Sequence, residues 1–242
     1  MRIPRLFIDQ TLQLGQQVEL AGDRAHYAVN VLRLTAGRPV ILFNGQGGEY
    51  RGSLLSASRK SATVELESFD PVDRESPLDV ELAIGISRGD KMDWIIQKAT
   101  ELGVRRISPL YTERTEVKLK ADRLAKKMEH WTQVTVSACE QSQRNRLPVL
   151  SAPRDLTDFV SSCKSDARMI LHPATESAPL AASAPSSASI LIGPEGGFSE
   201  AEVACATKAG FVEWQLGERI LRTETAPLAA LSILQFRWGD LG

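Results

Sequence analysis

From residue 78 onward, short aliphatic runs alternate with stretches whose apolar residues recur at helical spacing, and no other feature restricts the fold as strongly. Strands are expected at residues 80–86, 107–111, 169–171, 190–192 and 213–216. Helices are expected near 91–102, 123–140 and 156–162, from Ser199, and from about Thr225. Parallel strands need a long crossover, usually a helix, so this alternation argues for an α/β fold with a parallel sheet. Asp90 is placed to cap the first of these helices and Gly103 to end it. Ser199 and Glu202 form an S-x-x-E capping box, and Gly210 closes that helix. Residues 178–189, rich in Ala, Ser and Pro, read as a surface loop.

The first seventy residues follow a different rule. Strands are expected at residues 5–8, 17–20, 40–44, 49–55 and 62–67, with a glycine-rich turn at 45–48 and one helix around 24–34. That pattern suits a small barrel or compact sheet. Two prolines and four charges then fall within residues 70–77, a composition expected of a linker.

The net charge of −1 means that the molecule as a whole does not attract polyanions, so contact with nucleic acid would need local basic patches. Three cysteines, far apart and without a CxxC, suggest neither a disulfide framework nor a zinc site; reduced thiols in the cytoplasm are expected. No metal is expected. The N-terminus lacks the apolar stretch of a signal peptide, and no apolar run reaches the length of a membrane span.

Chemistry is concentrated in three loops that follow expected strands. Ile192, Gly193, Pro194, Glu195, Gly196 and Gly197 lead from a buried strand into the capped helix. Such turns lie at the carboxyl ends of parallel strands, where open α/β sheets bind ligands, and glycines let the backbone approach a ligand closely. The G-K-[ST] ending of a phosphate loop and the G-x-G-x-x-G fingerprint are both absent. Leu216 and Gly217 open a second loop, which continues through Ile220, Leu221, Arg222, Thr223, Glu224 and Thr225 to Ala226 and Pro227. Leu171, His172 and Pro173 form the third. Alone, each reads as an ordinary turn, a helix cap or a hydrogen-bonded histidine.

Together these loops resemble the RsmE family of 16S ribosomal RNA (uracil-N3) methyltransferases, of the SPOUT class. Further matches are residues 88–93, 97–103 and 113–115, Glu140 with Gln141, Ser142, Arg144 and Pro148, and, near the N-terminus, residues 5–7, 26–27 and 31–33. The resemblance covers nearly the whole chain, in order. It implies a PUA-like RNA-binding domain at residues 1–72 and a SPOUT methyltransferase domain with a trefoil knot at 73–242. It implies S-adenosylmethionine bound by the three loops, a homodimer, and methylation of N3 of one uridine in 16S rRNA of the small ribosomal subunit.

Uridine N3 carries a proton between two carbonyls, so its methylation calls for a base or for cations that stabilise the developing charge. Arg222 is the expected cation, with Glu140 and Arg144, four apart on one expected helix face, as further catalytic candidates. Glu195 and Glu224 are alternative carboxylates. Arg5, Arg33, Lys118 and Arg123 are expected to contact RNA phosphates, in the N-terminal domain and in a basic run over residues 118–127. The apolar stripe Leu228, Leu231, Leu234 and Trp238 is a candidate dimer face or core. Rival readings are a SPOUT enzyme with another RNA acceptor and a non-catalytic RNA-binding assembly factor.

Overall fold

The computed structural model describes residues 3–58, 60–117, 121–173 and 180–242. The chain forms two compact units. One ends at Glu75 and takes in Cys139–Leu147; the other is Ser76–Ala138 with Pro148–Gly242.

The first unit contains β1 (Arg5–Phe7), β2 (Gln17–Ala21), α1 (Gly22–His26), a π-helical turn (Tyr27–Val31), β3 (Pro39–Phe43), β4 (Glu49–Ala57) and β5 (Ser61–Asp70). These strands make one curled sheet in the order β1-β3-β4-β5-β2, parallel only between β1 and β3. Alternate residues of β2 and β5 are buried, as for a sheet with one covered face. Val18, Leu20, Val64 and Leu66 meet Ala25 and Ala28 in the core. One of two register shifts in the β4–β5 ladder falls beside Gly52, where a Cβ would lie 2.0 Å from the carbonyl oxygen of Glu65. The helix expected around 24–34 is divided between α1 and the π turn, and Arg33 lies beyond both with φ +55°.

Arg5 is a correction. Its side chain is 3% exposed and bonds Glu49, which is 2% exposed, and Asn145 Oδ1; the Arg74 guanidinium reaches Glu49 Oε2 at 3.2 Å. A guanidinium enclosed in this way braces the unit and has no face left for a phosphate. The feature that misled was its place among six N-terminal arginines.

The second unit contains β6 (Asp79–Gly85), α2 (Lys91–Glu101), β7 (Arg106–Tyr111), α3 (Ala121–Ser142), β8 (Val149–Leu150), β9 (Arg154–Asp155), α4 (Leu156–Ser162), β10 (Ala167–Leu171), β11 (Ser187–Ile192), α5 (Glu200–Lys208), β12 (Val212–Trp214) and α6 (Thr225–Trp238). Residues of α3 from Cys139 onward count with the first unit. The sheet runs β12-β10-β11-β6-β7-β8, with β9 also on β7, and its pairings are parallel. Successive strand residues face opposite layers. Leu82, Ile84, Ile190 and Ile192 pack with Met92, Ile95 and Ile96 of α2 and Leu231 and Leu234 of α6. Ala83 and Leu191 face Leu156 and Phe159 of α4 and Val203 and Ala206 of α5.

The capping box at Ser199 is present in both directions, while Asp90 makes no side-chain cap and contributes its backbone oxygen to Trp94 N. Residues 187–189, expected in a loop, begin β11; Asp166 Oδ2 accepts from the backbone N–H groups of Ser186 and Ser187 just before it and at its start. Of the expected apolar stripe, Leu231, Leu234 and Trp238 are buried in the core and Leu228 is half-buried, so most of the stripe packs within the unit. Among the described residues, no helix is long and apolar enough to cross a membrane.

Burial pushes the Glu49 carboxyl up, but hydrogen bonds and charge from Arg5 and Arg74 outweigh it and hold the group below its ordinary value. A carboxyl depressed on folding adds stability above its unfolded pKa and loses it as pH falls through the folded one. Glu49→Gln should therefore cost about 3 kcal/mol at neutral pH, and the deficit should shrink in acid, where the native side chain is itself neutral. Urea denaturation at both pH values measures this; an equal deficit at both would refute it.

Candidate active site

The carboxyl ends of β10, β11 and β12 lie side by side because the strands are parallel neighbours in register, Met169 opposite both Ile190 and Val212. The loops leaving them enclose a cavity of about 220 Å³. Leu171, His172 and Pro173 line it from the end of β10 onward; Ile192, Gly193, Pro194, Glu195, Gly197 and Phe198 from the end of β11; and residues 214–221 from the end of β12, together with Thr223 and Ala226. The three loops singled out in the sequence thus share one concavity at the edge where open α/β sheets bind ligands.

Close backbone approach shapes this edge. A Cβ on Gly193 would lie 3.0 to 3.2 Å from backbone atoms of Gly197 and Phe198. Gly197 and Gly217 take φ values of +69° and +73°, conformations that glycine adopts without strain. Gly85, at the end of β6, would place a Cβ 2.5 Å from Pro194 Cδ, so glycine in that strand is what lets the proline turn sit over it. Gly196 does not line the cavity; its carbonyl accepts from Arg114 Nη1 at 2.9 Å.

His172 is held by two contacts, its backbone N–H to Trp214 O at 3.3 Å and its Nδ1 beside Glu213 Oε2 at 3.2 Å. Glu195 Oε1 lies 3.1 Å from Lys91 Nζ and accepts from the backbone N–H of Arg88 at 3.4 Å. Burial raises the Glu195 carboxyl, but its own backbone N–H, Lys91 and Arg88 outweigh that and hold it below the usual range. Arg222 is not in this cavity: its side chain is 84% exposed and its Nη1 is 4.0 Å from Glu224 Oε1. Thr225 opens α6 outside the cavity lining.

Glu140 and Arg144 do not form the expected pair. Helix α3 ends at Ser142 and Gln143 takes φ +69°, so the i,i+4 relation breaks. Glu140 Oε1 accepts from Phe7 N and Arg24 Nη1, both at 2.9 Å, and Arg144 is clamped by both oxygens of Glu75. Burial raises the Glu140 carboxyl, against the lowering by Phe7 N–H and Arg24. All of these contacts lie within the first unit. Of the expected RNA contacts, Arg33 and Arg123 are exposed, Arg5 is buried, and Lys118 is outside the described residues. Lining residues outside the expected set are Phe198, Trp214, Gln215, Glu218 and Arg219; Phe198 and Trp214 are largely buried, and large aromatics of that kind read as core. Among the described residues no acidic, histidine or cysteine cluster could hold a metal ion.

Gly85→Ala should force Pro194 outward. An overpacked contact of this kind costs about 1–3 kcal/mol, read as a lowered urea midpoint. An unchanged midpoint would show that the Pro194 turn moves freely.

Residues 74–235 match the model of the RNA methyltransferase domain and residues 20–67 that of the RNA methyltransferase PUA domain. The chain is 36% identical to the ribosomal RNA small subunit methyltransferase E of Bacillus subtilis, over 96% of each chain. The protein of the same name from Neisseria gonorrhoeae, solved bound to S-adenosyl methionine, superposes with a TM-score of 0.92 at 35% identity over all of both chains. A Legionella pneumophila protein solved with its cofactor SAM gives a TM-score of 0.95 at 40% identity, also over all of both chains. A parallel sheet whose three strand-end loops share one cavity, matched along its length in this way, belongs to the RNA methyltransferase family that includes ribosomal RNA small subunit methyltransferase E.

Proposed function

We propose that the second unit binds S-adenosylmethionine in the strand-end cavity and that the protein methylates N3 of one uridine in 16S rRNA of the small ribosomal subunit. The observation that carries this reading is the convergence of the three loops on one cavity, together with relatives of that name and solved structures holding the cofactor. The lining suits such a ligand. Ile192, Leu216, Leu221 and Ala226 offer apolar surface for a flat base, while the turns at Gly193 and Gly217 bring backbone donors and acceptors close. Gly196 and Thr225 act one step back, Gly196 through its bond to Arg114 and Thr225 by starting α6. When bound, the cofactor supplies an electrophilic methyl group; the chain's own residues orient the acceptor and handle its proton. The knotted threading of the C-terminal segment is part of the same proposal.

The first unit positions the RNA. Exposed Arg33, Arg38 and Arg51 are suited to phosphate contacts; in the second unit, Arg123 of α3 is exposed as well. Glu140 and Arg144, held inside the first unit, serve it structurally. A homodimer fits what α6 leaves uncovered: Phe236 is 70% exposed and Ile233 40%, on the side away from Leu231 and Leu234. Free cysteines at 139, 163 and 205 suit the reducing cytoplasm, where the substrate is found.

Mass spectrometry of 16S rRNA from cells lacking the protein should show one uridine without its N3 methyl, restored by adding the purified protein; methyl lost from another position would replace the assignment. Gly193→Val should weaken S-adenosylmethionine binding by at least about tenfold in calorimetry, with the protein folded. Unchanged affinity would place the cofactor elsewhere. Light scattering should give a dimer mass, and Phe236→Glu a monomer; a monomeric parent would remove the dimer.

A further inference from the structure

A second cavity, of about 280 Å³, adjoins the first. The two share Glu195, Ile220, Leu221 and Thr223, and Lys91, Arg222 and Glu224 complete the second. Its charges are unequally held. Lys91, the first residue of α2, has its Nζ 3.1 Å from Glu195 Oε1 and 3.8 Å from Glu224 Oε2, so one cation stands between carboxylates of two different loops. Arg222 is the most exposed of the charged residues. Glu224 Oε2 is shielded from solvent and accepts no hydrogen bond among the described residues. A shielded oxygen without a donor is costly in a folded protein and marks a place where a donor is missing.

We propose that this second cavity is the acceptor subsite and that it takes an imide of the uracil type, with Glu224 Oε2 receiving the ring N–H proton and Lys91 stabilising the charge that spreads onto a flanking carbonyl oxygen. The proposal rests on the methyl-transfer reading above and deepens it. The imide N–H bond breaks with its electron pair left on nitrogen, and the proton goes to Glu224. That pair forms the new N–C bond to the methyl carbon, the C–S bond breaks, and its electrons remain on sulfur, which becomes a neutral thioether. The proton on Glu224 then passes to solvent. Lys91 takes the role first expected of Arg222, because two carboxylates hold it in place while Arg222 extends into solvent. The same geometry selects the base. Uracil presents a donor to Glu224, whereas cytosine presents a lone pair at that position, and two acceptors would face each other.

The test uses the full-length protein, with two variants first checked for parental melting. Glu224→Gln and Lys91→Met should keep S-adenosylmethionine affinity within about threefold by calorimetry. In single-turnover methylation of 16S rRNA, Glu224→Gln should lower the rate by roughly 10²- to 10⁴-fold. The residual rate should climb with pH in the alkaline range, where the imide ionises unaided. Lys91→Met should lower the rate constant more than the apparent RNA affinity, and Lys91→Arg should recover part of it. With S-adenosylhomocysteine bound, the parent should prefer RNA carrying uridine over cytidine at the target by about tenfold. Glu224→Gln, whose amide can donate to cytosine, should abolish that preference. A Glu224→Gln protein that keeps the parental rate, pH profile and base preference overturns the subsite while uridine methylation stands. A parent that does not methylate uridine N3 overturns both.

Discussion

Parallel pairing of β12, β10, β11 and β6 is the constraint from which the rest of the second unit follows. Strands that run the same way must be joined by crossovers, and the crossovers supply the helices that cover both faces of the sheet. Running the same way also puts every carboxyl end on one edge. The loops that leave β10, β11 and β12 therefore meet without any long-range signal directing them together. What the sequence must add is room, and it does so with small residues: Gly85 under Pro194, Gly193 against the backbone at 197 and 198, and left-handed turns at Gly197 and Gly217.

Legibility in the sequence tracked the range of the interactions. The alternation of strands and helices, the capping box at Ser199 and the three loops are all written in residues a few positions apart, and the structure contains each of them. Arg5 could not be read this way, because its partners Glu49 and Asn145 lie 44 and 140 residues away. Glu140 and Arg144 have the spacing of a helical pair, but the spacing cannot show that the helix stops at Ser142. The stripe on α6 has the right period for an exposed apolar face. Only the sheet beneath it determines that Leu231, Leu234 and Trp238 turn inward and that Ile233 and Phe236 are left outside. Lys91 carried no signal for its reach to Glu195, 104 residues on.

Charge is used differently in the two units. In the first, Arg5, Arg74 and Arg144 are bound to Glu49 and Glu75, and the arrangement resembles a bolt: removing either partner would strand a desolvated charge. In the second, Lys91, Glu195 and Glu224 are partly open to solvent, with side-chain exposures of 41%, 34% and 22%. Pairs of that kind contribute little to stability and are free to exchange one partner for a ligand group.

The first unit is discontinuous in sequence, since it closes only with Cys139–Leu147. Synthesis on the ribosome delivers the chain in order, so strands β1 to β5 emerge well before Glu140, Arg144 and Asn145 exist to meet Phe7, Glu75 and Arg5. Until then the bonds from Asn145 to Arg5 and from Arg144 to Glu75 cannot form, although Glu49 is already there to meet Arg5. The nascent unit lacks these contacts while residues 76–138 are made, and a fragment ending at Glu75 would lack them permanently. Completion of this unit is thus timed by translation of the other, which ties the maturation of the two halves into one schedule.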